Sequence, residues 1–280
     1  MEKHFGFVAI LDALGVSNYK IEEALEFGSR KNLLLKELDE GIVALTTHFN
    51  EKISPNVKSR SHIQFPKVTI CTFGDTIIIC WPTETEQATT GVAPGIFMWL
   101  QQAIVKGLHH KILLRGSVSL GEYLVDGDNT LLGPAIADAS AWAEEADWFG
   151  VILTPTCRLA MTRYFENSDL IKLSNNPEDW CVKYPAVPLH EGIKELVVVS
   201  WPQCFLEAVE KEHLPGYAKI SVLLSKYSIP KGVESKFENS LKFFKWYEEN
   251  IYPKFVDNKS EKIRIEKAKK SLGKRQKKTL

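Results

Sequence analysis

Two carboxylates stand where apolar runs break. Asp12 ends the run FGFVAILDALG, and Asp75 interrupts TFGDTIIIC next to Gly74. Converging carboxylates repel each other unless a cation sits between them. Magnesium favours hard oxygen ligands and is commonly held by one or two carboxylates plus substrate phosphates. Two such ions about 3.5–4 Å apart can activate an attacking oxygen and steady a leaving one. The competing reading makes Asp12 a helix cap and Asp75 a turn residue. The stretch DALGVS adds Gly15, which permits close backbone approach to a ligand, and Ser17, a hydroxyl near a helix N-terminus that favours phosphate.

The elements that must position these residues follow from local pattern. FGFVAILDALG reads as a buried strand running into a loop. Apolar spacing from Ile21 to Phe49 predicts two helices, and residues 50–66 read as a polar loop. KVTICTFGDTIIICWP reads as two strands about a Gly-Asp turn. A helix follows over GIFMWLQQAIVKGL, then a second hairpin about Asp126-Gly127. PAIADASAWAEEAD opens with Pro134, which costs a helix little in its first turn. FGVILTP is a strand, TPTCRLAMTRYF a short helix and IKELVVVSWP a last strand, followed by two amphipathic helices. This order predicts an α+β fold, an antiparallel sheet covered by helices on one face. The Trp201-Pro202 joint divides it into a core domain, 1–202, and a helical extension with a basic tail, 203–280.

Composition narrows the function classes. The 280 residues are 44% hydrophobic and 25% charged, and 35 Lys and Arg balance 35 Asp and Glu, so no global field draws in nucleic acid or membrane. From Lys259 to Leu280 basic residues outnumber acidic ones. That tail reads as a solvated end or as a weak contact to an acidic partner. Five scattered cysteines without a C-x-x-C pair argue against a disulfide framework or a structural zinc site. The broken apolar N-terminus is no signal peptide, and nothing approaches a membrane span of ~20 residues. The expectation is a cytoplasmic protein.

Four motifs together resemble those of class III nucleotide cyclase catalytic domains: AILDALGVSN, TFGDTIIIC, RGSVSLGE and GPAIADASAWAEEA, in that order. The likeness runs from about Phe5 to Trp201, and it is nearest to short stand-alone bacterial cyclase-like proteins. Some of those make cyclic pyrimidine nucleotides in anti-phage signalling. The resemblance implies a ferredoxin-like, palm-type sheet, the nucleotide cyclase fold. It implies that Asp12 and Asp75, helped by the Ala13 carbonyl, bind two Mg²⁺ or Mn²⁺ ions. Ala13, Gly15, Val16 and Ser17 would cradle the triphosphate, Arg115 would contact phosphate, and Lys194 would hold the leaving pyrophosphate. The reaction would be attack of the ribose 3′-oxygen on the α-phosphate, in a head-to-tail homodimer.

The departures are as specific as the matches. Ala137 and Ala141 stand where the family has an asparagine and an arginine, and Cys71 and Thr130 stand where it reads a purine. Asp138, Glu144 and Glu145 are candidate substitutes on the same helix, with Arg158 and Arg163 downstream. Two other classes compete: a cyclase-homology domain that has lost catalysis and binds a nucleotide or protein, and a diguanylate-cyclase-type palm, whose Gly-Gly-Asp/Glu-Glu-Phe signature is missing. His109-His110 read as a helix C-terminus, Asp126, Asp128 and Asn129 as a turn, and Trp142 and Trp148 as core.

Overall fold

A computed structural model describes residues 2–16, 19–48, 67–83, 86–126, 130–166, 180–209, 216–227 and 232–256. Ser17, Asp128, Asn129 and the basic tail lie outside the described residues, as does the side chain of Arg163.

Strand β1 (Glu2–Ala13) pairs antiparallel with β3 (Thr76–Pro82) on one side and β4 (Leu114–Asp126) on the other, and β2 (Thr69–Phe73) closes the edge beside β3. Helix α1 (Ile21–His48) links β1 to β2, and α2 (Glu86–His109) links β3 to β4. That βαββαβ unit with strand order β4-β1-β3-β2 is the ferredoxin-like palm the motifs imply. The short β5 (Thr130–Leu132) returns along the far end of β4.

The sheet then extends through β6 (Gly150–Leu153), β8 (Gly192–Val199) and β7 (Cys181–Leu189). Here the antiparallel expectation needs correction. β6 runs parallel to β4, because α3 (Pro134–Glu145) carries the chain back across the sheet before β6 begins. The single last strand expected at 193–202 is one arm of the β7–β8 hairpin.

The period of two along β1 separates two faces. Phe7, Ala9, Leu11 and Ala13 join the main core under α1 and α2, whereas Val8 and Ile10 pack with Ala135, Ala139 and Ala143 of α3. Helices therefore cover both faces, not one. Alanine at every fourth position lets α3 lie close on the strands. Gly116 serves the same economy: a Cβ there would meet the Ile10 carbonyl oxygen at 2.0 Å.

The two helices expected over 21–49 are one. Phe27, Lys31, Leu34, Leu38 and Ile42 form a continuous buried stripe, so tertiary packing carries the helix through Gly28-Ser29. Helix α4 (Pro155–Glu166) matches its expectation. Three helices, not two, follow β8 among the described residues: α5 (Trp201–Val209), α6 (Gly216–Leu224) and α7 (Glu234–Asn250). α7 places Phe243 in the core against Trp148, ring centroids 4.8 Å apart, and against Tyr184 at 4.8 Å.

Candidate functional site

The site grows from the end of β1. Register places Asp12 between Thr76 on β3 and Arg115 on β4, all three on the α3 face of the sheet. The Thr76 hydroxyl donates to Asp12 Oδ1 at 3.3 Å. Arg115 donates to Asp12 Oδ2 through Nε at 3.2 Å and Nη2 at 3.1 Å. Its Nη1 donates to the carbonyls of Glu144, 3.4 Å, and Ala146, 3.2 Å, at the C-terminal end of α3. Helix C-termini carry unsatisfied carbonyls and a partial negative charge, so the guanidinium is attracted from both directions. The side chains of Arg115 and Asp12 are 16% and 24% exposed, which keeps this ion pair partly shielded from water.

Asp75 enters from the β2–β3 turn. Gly74 adopts φ +56°, a conformation other L-residues rarely take. The Ala13 amide donates to the Asp75 carbonyl at 3.3 Å, which ties the turn to the residue after Asp12. Both residues thus stand at one end of the β1–β3 pair, the Asp12 side chain on the α3 face and Asp75 beside the space under α1. Ala13 itself faces the core, so only its main chain reaches this end. The β1–α1 loop turns through Gly15, φ +81°, and is closed by the Tyr19 amide donating to the Val16 carbonyl at 3.1 Å.

Two cations outside the motifs stand nearby. Lys31 of α1, 8% exposed, donates from Nζ to the Gly74 carbonyl at 2.5 Å. Burial pulls its pKa down, and the charge of Asp75 works against that shift. Lys236 of α7 lies within electrostatic range of Arg115, Asp147 and Asp12. Desolvation and the Arg115 charge lower its pKa, opposed by the two carboxylates. Sequence reasoning missed both. Lys31 was legible as the one charge in an otherwise apolar stripe; Lys236 left no local signal.

Other expected site residues are scattered. Cys71 lies opposite Ile78 on edge strand β2, on the Asp12 face. Lys194 lies on the β7–β8 hairpin with its ammonium 5.9 Å from the centroid of Trp142 on α3. Thr130 pairs with Asp126, while Glu2 at the start of β1 pairs with Val125. About ten strand residues, roughly 30 Å, therefore separate Thr130 from Asp12 within one chain. Asp138 accepts a hydrogen bond from Ser119 at 2.7 Å. Ala137 and Ala141 lie on the exposed side of α3.

The donors present suit a hard divalent cation. Among the described residues no group of three or more His, Cys, Asp or Glu converges. Two carboxylates alone match Mg²⁺ or Mn²⁺ completed by substrate oxygens, not a closed zinc site. Arg115 engages Asp12 Oδ2 and leaves Oδ1 to the Thr76 hydroxyl. Among the described residues, no helix is long and apolar enough to cross a membrane.

No protein-family model matches the chain, and no curated protein sequence does. Solved structures do match. A bacterial light-regulated adenylyl cyclase is 13% identical with a TM-score of 0.33, covering 75% of this chain and 97% of that one. The adenylyl cyclase CyaB from P. aeruginosa is 13% identical with a TM-score of 0.40, covering 71% and 93%.

Proposed function

We propose that the chain is a metal-dependent nucleotide cyclase. It converts a nucleoside triphosphate, with a pyrimidine base, to the 3′,5′-cyclic monophosphate and pyrophosphate. The observation that supports this reading is the pair Asp12 and Asp75 at one end of neighbouring strands, where the Ala13 amide donates to the Asp75 main-chain carbonyl. Mg²⁺ or Mn²⁺ bound there would supply the Lewis acidity that favours loss of the ribose 3′-OH proton. The chain's own contribution is placement and charge. Val16 and the Gly15 turn border the phosphate path, and Arg115 fixes the orientation of Asp12. Lys236 and Lys194 bring positive charge to the α3 side, where Ala137 and Ala141 offer none. The pyrimidine assignment rests on Cys71 and Thr130 at the purine-reading positions. A head-to-tail homodimer would bring a partner's Thr130 end toward Asp12. A place in anti-phage signalling, in the cytoplasm, rests on the motif resemblance.

A second reading has its own observation. Every guanidinium nitrogen of Arg115 is engaged within the protein, which suits a binding module that has lost catalysis. One experiment separates the two. Purified protein is incubated with Mn²⁺ and ATP, GTP, CTP or UTP, beside Asp75→Ala, and products are resolved by mass spectrometry. Cyclic UMP or cyclic CMP from wild type, at least 100-fold lower in the variant, is the expected result. No cyclic product from any nucleotide, with folded dimeric protein, transfers the assignment to the binding module.

A further inference from the structure

The sequence of α1 contains an oddity that the two carboxylates do not explain. Ala24, Phe27, Gly28, Lys31, Asn32 and Leu35 recur at the spacing of a single helix face. This face borders the buried stripe of α1: Phe27 and Lys31 are buried, Gly28 and Leu35 half-buried, and Ala24 and Asn32 exposed. Glycine within a helix is unfavourable relative to alanine, so its place at the middle of this face calls for a compensating use.

The structure shows what the small residues leave. A cavity of about 510 Å³ opens between α1 and the β2–β3 turn, a size typical of small-molecule sites. A Cβ built on Gly28 would meet nothing within 4 Å, so this glycine opens space instead of permitting close contact. The lining is graded. Val16, Tyr19, Phe27 and Leu35 are apolar, and the Tyr19 and Phe27 rings stand edge-on with centroids 6.0 Å apart. Asn32 and Thr72 add an amide and a hydroxyl. Lys31 and Asp75 line it as well, linked through the Gly74 carbonyl that Lys31 holds. Thr72 points to the α1 face because its β2 neighbours Cys71 and Phe73 pair with residues of the opposite face. Cys71 and Thr130 are not part of this cavity.

We infer that this cavity is the nucleoside pocket of the chain, with the base against Tyr19 and Phe27, its polar edge read by Asn32, and the phosphates leaving past Lys31 toward Asp75. The inference rests on the cyclase reading for the class of ligand, a nucleoside triphosphate, and departs from the motif resemblance in where the base sits. Apolar walls suit a planar base. A carboxamide offers both a donor and an acceptor, the combination that the uracil or cytosine edge requires. The Lys31 ammonium has three donors and gives one to the Gly74 carbonyl among the described residues, which leaves donors for phosphate oxygens. The base thus enters from the α1 side, opposite the α3 face that carries Arg115.

The test uses the full chain. UTP, CTP, ATP and GTP are titrated calorimetrically in Mn²⁺ into wild type, Gly28→Leu and Asn32→Ala, and cyclic products are assayed in parallel. Leucine at position 28 improves helix propensity while filling the cavity. The expected result is an unchanged or higher Tm with nucleotide binding at least tenfold weaker. Asn32→Ala should fold and lose preference among the four bases. Retained affinity in Gly28→Leu together with unchanged base preference in Asn32→Ala overturns the pocket, even if cyclic product forms. Binding that is lost on filling the cavity, without any cyclic product, upholds the pocket and removes the cyclase reading. Failure of wild type to bind any of the four nucleotides overturns both.

Discussion

Arg115 shows how one side chain can join three elements. Its guanidinium spans the Asp12 carboxylate on β1 and two carbonyls at the end of α3. Charge-assisted contacts are strong, here two N–H donors on the single oxygen Asp12 Oδ2, and removing one partner of a shielded pair strands the other. Arg115→Ala should therefore cost about 2 kcal/mol, read as a fall in Tm of roughly 4–8 °C. Arg115→Lys keeps the charge but not the planar fork, so it should recover less than half of that loss. A double-mutant cycle with Asp12→Asn should show a coupling of about 1 kcal/mol or more. Additive losses would mean that the two residues act independently. Gly116 makes this geometry available, since a side chain there would collide with the Ile10 carbonyl and push β4 away from β1.

At the scale of elements, α7 is locked to the start of β6. The Phe149 amide donates to Ser240 Oγ at 2.8 Å in buried surroundings, and that hydroxyl donates to the part-buried Lys236 carbonyl at 2.6 Å. Ser240→Ala leaves the amide unsatisfied and should destabilise by about 1–3 kcal/mol in urea denaturation. The same docking brings Lys236 within electrostatic range of Arg115, Asp147 and Asp12, and burial sets its pKa below the ordinary 10.5. Below that lowered pKa the folded state bears the full cost of the desolvated ammonium. As pH rises through it toward 10.5, the folded protein sheds the proton before the unfolded chain does, so stability rises. Lys236→Met should be more stable than wild type at neutral pH, and the gap should narrow across that alkaline window. A gap that stays constant with pH would show that Lys236 is not desolvated.

For the whole molecule, the proposed dimer has a direct consequence. Sedimentation should give a particle of twice the 31.7 kDa chain mass. Thr130 lies roughly 30 Å along the sheet from Asp12, so a role for it near the metal site requires a second copy. A monomer that still turned over nucleotide would exclude such a role and leave the α1 cavity to read the base alone.

Much of this molecule is legible in its residues. Alternating and helical periods are local properties, so most strands and helices, the Gly-Asp turn and Pro134 at the start of α3 could be read directly, whereas the palm arrangement comes from the motif resemblance. The positions of Asp12 and Asp75 near strand ends could be read as well, because each breaks an apolar run. The division of residues 21–49 into two helices does not hold, because burial of Phe27, Leu34 and Leu38 along one stripe keeps the segment a single helix. The parallel placement of β6 depended on where α3 returned the chain. The partners of Arg115, the approach of Lys236 from a helix more than a hundred residues later, and the cavity beneath Gly28 depend on register and packing between distant segments. Those contacts carry no local periodicity, and only the assembled sheet and its helices decide them.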